Sequence, residues 1–261
     1  LLAKGKVRTS IVRYRDSHRA HASTNGVAKH VSPAVMGYLM EKELDYLDRA
    51  LENPNRPFVT ILGGAKVSDK IGVIDALLEK VDRLLVGGGM TYTFLASQNV
   101  AVGNSLVEED RIEIAGELFD RGKETLLFPS DHKAASAMED PDFEVITDGI
   151  PDDLMALDIG PSTQELFAEE IKNAETVIWN GPMGVFEHPP YDEGTNAVAA
   201  ALAEATDQGA LTIVGGGDSV SAVNRSGYQD RISHISTGGG AMLTYLEGEE
   251  LPGLAELDEA D

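Results

Sequence analysis

The sequence predicts an α/β protein: a Rossmann-like parallel sheet with helices on both faces, plus a short remnant of a second lobe. Three observations carry this. Short apolar runs alternate with helical periodicities from Phe58 to Leu246, which means parallel strands joined by crossover helices. Several of those runs end in glycine: Ile61-Leu62-Gly63-Gly64, Leu84-Leu85-Val86-Gly87-Gly88-Gly89, Val177-Ile178-Trp179-Asn180-Gly181, Ile213-Val214-Gly215-Gly216-Gly217 and Ile235-Ser236-Thr237-Gly238-Gly239-Gly240. Independent turns would rarely all need glycine at the same place. Open parallel sheets bind ligands outside the carboxyl ends of their strands, so the glycine-bearing ends read as one phosphate-bearing rim. Finally, 261 residues with 42% apolar content suffice for a large core.

The elements follow in order. Residues 1–34 cannot bury a core alone and read as a remnant of a second lobe; Lys4, Lys6, Arg8, Arg13, Arg15 and Arg19 make them locally basic. Residues 35–52 form an amphipathic helix, with Met36, Leu39, Leu44, Leu47 and Leu51 on one stripe and Asn53-Pro54 ending it. Residues 53–261 carry the alternation. Strands are expected at 58–62, 83–86, 125–128, 156–159, 176–179, 211–214 and 233–236. Helices are expected at 71–81, 90–97, 107–119, 162–171, 194–205 and 219–224, with a last one ending near Leu246. Residues 130–150 read as irregular, with a short strand at 143–146. Ser162 or Thr163 is the expected cap of one helix and Thr237 of another.

Charge and composition exclude several functions. With 21 Lys+Arg against 44 Asp+Glu the net charge is −23, which argues against nucleic acids and anionic membranes. No cysteine is present, so thiolate chemistry and disulfides are excluded. No apolar run is long enough to span a membrane, and a cytoplasmic location is the default expectation. G-x-x-x-x-G-K-[ST] is absent, and no G-x-G-x-x-G follows a strand. Both absences point away from P-loop and dinucleotide sites.

The candidate chemistry sits on the glycine turns. Lys66 and Lys70 place point charges where phosphoryl oxygens would lie. A cation at a helix start is unfavourable by itself, which favours a functional role, foremost for Lys70. Asn180 can donate to a phosphate, and Glu187 can accept from ribose hydroxyls. Asp218, after Gly216-Gly217, is the candidate Mg²⁺ ligand, and Ser219 offers a hydroxyl or N–H. Gly239, with Gly238 and Gly240, presents backbone N–H groups to developing charge. Arg19 can grip a carboxylate or phosphate bidentately, beside His18.

At these residues the sequence resembles phosphoglycerate kinases. The strings are His18-Arg19-Ala20-His21-Ala22-Ser23-Thr24, Gly63-Gly64-Ala65-Lys66-Val67-Ser68-Asp69-Lys70, Gly87-Gly88-Gly89-Met90, Leu157-Asp158-Ile159-Gly160-Pro161, Trp179 to Glu187, Gly215 to Ser219 and Ser236 to Gly240. The resemblance covers about residues 16–248. It implies a two-lobed monomer that moves a phosphoryl group, with Mg²⁺, between 1,3-bisphosphoglycerate and ADP, giving 3-phosphoglycerate and ATP. It implies that Lys70 touches the transferred group with Lys66 nearby, that Glu187 holds the ribose, and that Gly216, Gly217, Asp218 and Ser219 surround the phosphates and metal. Gly88, Gly89, Leu157, Pro182 and Val185 would border the adenine, Arg19 would bind the phosphoglycerate, and the helix at 35–51 would join the lobes.

Most of the amino-terminal lobe that the family carries has no counterpart here. The 261 residues are therefore expected to bind nucleotide without turnover, as the represented part of a longer chain or as a truncated one. Two rival readings follow: a nucleotide-binding module with no catalysis, and a dinucleotide oxidoreductase.

Spread acidity of this size suggests a high-salt cytoplasm, where screening weakens self-repulsion. The thermal midpoint is expected to rise between low and molar KCl. An unchanged midpoint would remove the halophilic reading.

Overall fold

Alternating apolar and helical segments resolve, in the computed structural model, into helices and strands that are described for residues 12–258. Lys4, Lys6 and Arg8 lie outside the described residues. In chain order the elements are α1 (Tyr38–Leu51), β1 (Phe58–Leu62), α2 (Ile71–Leu77), β2 (Arg83–Val86), α3 (Met90–Ser97), α4 (Ile112–Arg121), β3 (Leu126–Leu127), β4 (His132–Ala135), β5 (Glu144–Ile146), β6 (Met155–Ile159), α5 (Pro161–Lys172), β7 (Thr176–Asn180), α6 (Glu193–Asp207), β8 (Leu211–Gly215), α7 (Gly217–Ser226), β9 (His234–Ile235) and α8 (Gly239–Leu246).

The central sheet has six parallel strands in the order β3-β2-β1-β7-β8-β9. Its strands are short and almost wholly apolar because both faces are covered. In β1, Phe58 and Leu62 join one core with Leu47 of α1, Ile74 of α2, Phe94 of α3 and Met242 of α8. Val59 and Ile61 point the other way, into a core with Phe167 of α5, Leu202 of α6 and Val223 of α7. The expected fold class is therefore observed.

The strand order reverses between β1 and β7. A crevice opens at such a switch point, because the loops leaving the two strands turn to opposite faces.

Four expectations need correction. The strand at 156–159 does not belong to the parallel sheet. It is β6, in a separate antiparallel sheet of order β5-β4-β6. Within the stretch read as irregular, His132–Ala135 forms β4, the middle strand of that sheet. His-Lys-Ala-Ala has no β-branched residue, so propensity gave no signal and pairing on both sides decides its state.

The stripe of α1 is also displaced. The helix begins at Tyr38, and Met40, Glu43, Leu47 and Ala50 face inward while Met36 and Leu39 are exposed. A buried glutamate at a core position is what misled the hydrophobic count.

The caps differ too. Ser162 and Thr163 do not cap α5. Asp131 does, accepting from the backbone N–H of Ser162 at 2.9 Å and of Thr163 at 2.8 Å. Those bonds, with the Thr163 hydroxyl, outweigh the upward push of burial and hold the Asp131 carboxyl below the usual range. Thr237 does not cap α8; its hydroxyl donates to Glu43 at 2.7 Å.

The segment before α1 and the segment after α8 pack on each other. Gly253 N–H donates to the Ser17 carbonyl at 2.8 Å, and Asn25 Nδ2 to the Pro252 carbonyl at 2.9 Å. Ala34 N–H donates to the Asp258 carboxylate at 2.8 Å.

Glu43 ties α1 to the turn after β9. Its Oε2 lies 2.8 Å from His234 Nε2, and its Oε1 accepts from both Thr237 N–H and hydroxyl at 2.7 Å. The His234 ring stacks on Tyr46, one turn further along α1, with centroids 4.5 Å apart. Burial alone would raise the Glu43 pKa, but the bonds from His234, Thr237 and Ser236 together lower it. The lowered value means that this contribution is present above the ordinary carboxylate range and is lost as pH falls through the folded value. E43A leaves the buried His234 without its partner and is expected to cost about 3–5 kcal/mol. Urea denaturation near neutral pH measures it; a cost below about 1 kcal/mol would show that the contacts carry little.

Candidate functional site

Five loops leave the carboxyl ends of β1, β2, β7, β8 and β9 and meet at one rim. Backbone bonds lock them together. Gly63 N–H donates to the Asn180 carbonyl, Gly64 N–H to the Pro182 carbonyl and Gly88 N–H to the Met183 carbonyl, each at 3.0 Å. Gly181 N–H donates to the Ser219 hydroxyl at 2.7 Å. Two glycines are required by close approach. Gly216 has φ +91°, and a Cβ on Gly239 would stand 2.6 Å from the Gly216 backbone. The turns into α7 and α8 therefore stack directly, with their helix starts side by side.

At the centre, across the β1/β7 switch point, the Lys70 ammonium donates to the Asn180 side-chain carbonyl. Both residues are buried, and Asn180 Nδ2 has no partner. An unpaired buried donor is costly, so this one marks a place for an acceptor. Burial pushes the Lys70 pKa down to about 8 against the opposing charges of Asp69, Glu247 and Asp218. Lys66 is on the same loop but exposed.

A cavity of about 460 Å³ adjoins this centre. One wall is backbone: Gly64, Ala65, Gly88 and Gly89. The rest of the lining is largely apolar, from Leu106, Met138, Met155, Leu157, Val185 and Phe186. Glu187 and Asp218 stand among its lining residues. A lining that combines apolar side chains, glycine backbone and carboxylates suits a base and a polyol.

The expected site residues are brought together, with qualifications. Asp218 sits exposed in the first turn of α7. Among the described residues no three His, Cys, Asp or Glu side chains gather as a metal cage. A cation here would thus be shared between one carboxylate and a bound ligand's oxygens, a pattern that suits Mg²⁺. Ser219 is fully buried with its hydroxyl turned onto Gly181, so that hydroxyl is not free to meet a ligand. His18 lies against Gly240, where a Cβ would meet its ring at 3.3 Å. Arg19 is exposed beside it, with Nε 3.3 Å from His18 Nε2.

The sequence reading missed Asn104, Ser105, Leu106, Met138 and Met155 as walls of the cavity. They lie outside the glycine turns, and Met155 follows from the strand pairing that was not anticipated. Glu247, whose charge acts on Lys70 from the end of α8, was missed as well.

The fold and rim define a doubly wound α/β protein with an amide-rich cleft at its topological switch point. The family model described as phosphoglycerate kinase matches residues 14–249, and the chain belongs to the phosphoglycerate kinase family. The phosphoglycerate kinase of Thermosynechococcus vestitus is 55% identical over 249 residues, covering 94% of this chain and 62% of that protein. That of Clostridium perfringens is 57% identical over 247 residues, covering 93% and 62%. The structure of phosphoglycerate kinase from Coxiella burnetii superposes with a TM-score of 0.87 at 40% identity, covering 93% of this chain and 63% of that one. The Pyrococcus horikoshii enzyme gives a TM-score of 0.82 at 32% identity, covering 94% and 62%. The chain thus spans about 62% of the length of these curated relatives.

A buried ammonium has a stability signature. With its folded pKa lowered from 10.5 to about 8, the unfolded state binds more protons between those values, so the protein gains stability as pH rises through that window. K70M is expected to abolish that rise. Denaturant midpoints between pH 7 and pH 10.5 measure it, and an identical pH slope in both proteins would place the lowered pKa elsewhere.

Proposed function

We propose that these residues form the nucleotide-binding part of an enzyme that transfers a phosphoryl group between 1,3-bisphosphoglycerate and ADP, giving 3-phosphoglycerate and ATP. The observation that supports this most is the orphaned Asn180 Nδ2 beside Lys70 at the switch point, in a chain of this family. In this reading the apolar lining of the cavity takes the adenine and Glu187 the ribose. The backbone N–H groups of Gly216, Gly217 and Ser219 take the nucleotide phosphates. Asp218 would hold Mg²⁺, which neutralises phosphate charge when bound.

The chemistry asks little of acid–base groups. In the ATP-forming direction an ADP β-phosphate oxygen attacks the acyl-phosphate phosphorus, and a carboxylate leaves with the bonding pair. In reverse, the carboxylate attacks already ionised, so no general base is needed. Catalysis is then positioning and charge neutralisation. Lys70 and Lys66 supply cations on one side, Gly239 supplies an N–H from the start of α8, and Arg19 with His18 meets the phosphoglycerate. A Lys70 pKa near 8 leaves the ammonium mostly protonated at neutral pH and lets the incoming anion raise it further.

The finer assignments belong to the same proposal: a monomer, in the cytoplasm, adapted to high salt, with no nucleic-acid or membrane partner. No helix among the described residues is long and apolar enough to cross a membrane. The reading as a module without any catalytic role is not favoured, because the curated relatives that match along the chain are named phosphoglycerate kinase. Division into residues 1–34, an interlobe helix at 35–52 and a nucleotide lobe at 53–261 is the arrangement we propose.

Isothermal titration of the 261-residue chain tests the reading. Mg²⁺–ADP is expected to bind, NAD is not, and K70M is expected to weaken Mg²⁺–ADP by about tenfold or more. Binding of NAD in preference to ADP, or no loss in K70M, would overturn it.

A further inference from the structure

One buried carboxyl group has no part in the chemistry above. Asp158 lies on β6, one residue beyond Leu157, and is 1% exposed. Its Oδ2 accepts from Gly194 N–H, in the first turn of α6, at 2.8 Å. Its Oδ1 has no partner. The nearest buried cation does not answer it: Lys133 directs its ammonium to Glu193 and to the Pro190 carbonyl, over the ring of Phe143.

Oδ1 is instead enclosed by two glycines from opposite ends of one loop. A Cβ on Gly184 would stand 2.3 Å from it, and a Cβ on Gly194 would stand equally close, at 2.3 Å. The stretch between them leaves β7 and enters α6. It carries Val185, Phe186 and Glu187, three of the cavity's lining residues, and Val185 N–H donates to the Leu157 carbonyl at 2.8 Å. β6 therefore holds this loop by a main-chain bond on one side of its strand and by the Asp158 carboxyl on the other.

We infer that Asp158 is a positioning residue for the base-and-ribose half of the cleft: wedged between Gly184 and Gly194, it fixes both ends of the loop that presents Val185, Phe186 and Glu187. This rests on the nucleotide reading proposed above. The phosphate half of the cleft is built on the turns after β1, β8 and β9, which Asp158 does not touch. The two halves should therefore respond differently to its removal. A carboxyl is also tolerated here in neutral form, since burial raises its pKa to about 8 against the bond from Gly194 and the charge of Lys133. The other charged or titratable groups acting on it are Glu193 on α6 and Tyr92 on α3.

The test compares two probes on the 261-residue chain, Mg²⁺–ADP and Mg²⁺–pyrophosphate, by isothermal titration at neutral pH with melting curves recorded alongside. D158A is expected to weaken ADP by about tenfold and leave pyrophosphate within about twofold. D158N, which keeps the volume and the acceptor for Gly194, is expected to recover most of that loss, and G184A serves if D158A does not fold. G184A drives a methyl group into the carboxyl, and to within 2.6 Å of the Tyr191 carbonyl, and is expected to weaken ADP as D158A does. Equal losses for both probes would mean a general structural role and overturn the inference. So would ADP binding within about twofold of wild type in D158A and G184A. Failure of the wild-type chain to bind ADP would overturn the nucleotide reading itself, and this inference with it.

Discussion

The Lys70–Asn180 contact is the point on which the cleft depends. β1 and β7 lie side by side with their order reversed around them, so the two loops leaving them have nowhere to go but apart, and the space between must be filled or lined. An ammonium and a carboxamide line it. Neither is at ease there: the lysine loses proton affinity to burial, and the amide keeps a donor without a partner. The cost is borne by the parallel sheet beneath, whose residues in β1 and β7 are buried throughout. Such strain between local comfort and global fold is expected where a protein meets a ligand.

Much of this was legible in the sequence. The strand ends were readable because glycine serves two constraints at once there. It permits the backbone turn, as at Gly216, and it leaves room for a neighbouring turn, as Gly239 does for Gly216. Lys70 stood out because a cation at a helix start is locally unfavourable. What stayed hidden depends on contacts far apart in the chain. His132-Lys133-Ala134-Ala135 becomes a strand only because β5 and β6 flank it. Glu43 lies on the inner face of α1 only because His234 and Thr237, almost two hundred positions later, bond to it. Asp131 caps a helix thirty residues downstream. Local patterns report local energies, and these residues have their partners elsewhere.

Buried polar groups in this protein serve to orient one layer against another. Glu43 sets α1 against the turn into α8. Asp131 sets α5 against β4, and Asp158 sets α6 against β6. Each is a carboxyl group whose lone pairs meet backbone N–H groups, which have fixed direction, rather than flexible cations. Backbone donors specify orientation more sharply than a mobile ammonium can, at the expense of desolvation.

The segment before α1 and the segment after α8 grip each other through Ser17–Gly253, Asn25–Pro252 and Ala34–Asp258. That small assembly is also sunk into the main core, where Tyr14 and Leu251 are buried in one cluster with Leu47, Leu62 and Met242. The polypeptide runs from it into α1 and returns to it from α8, and Glu43 bonds α1 to the turn just before α8. Whatever disturbs that buried carboxylate therefore loosens the seating of both chain ends at once.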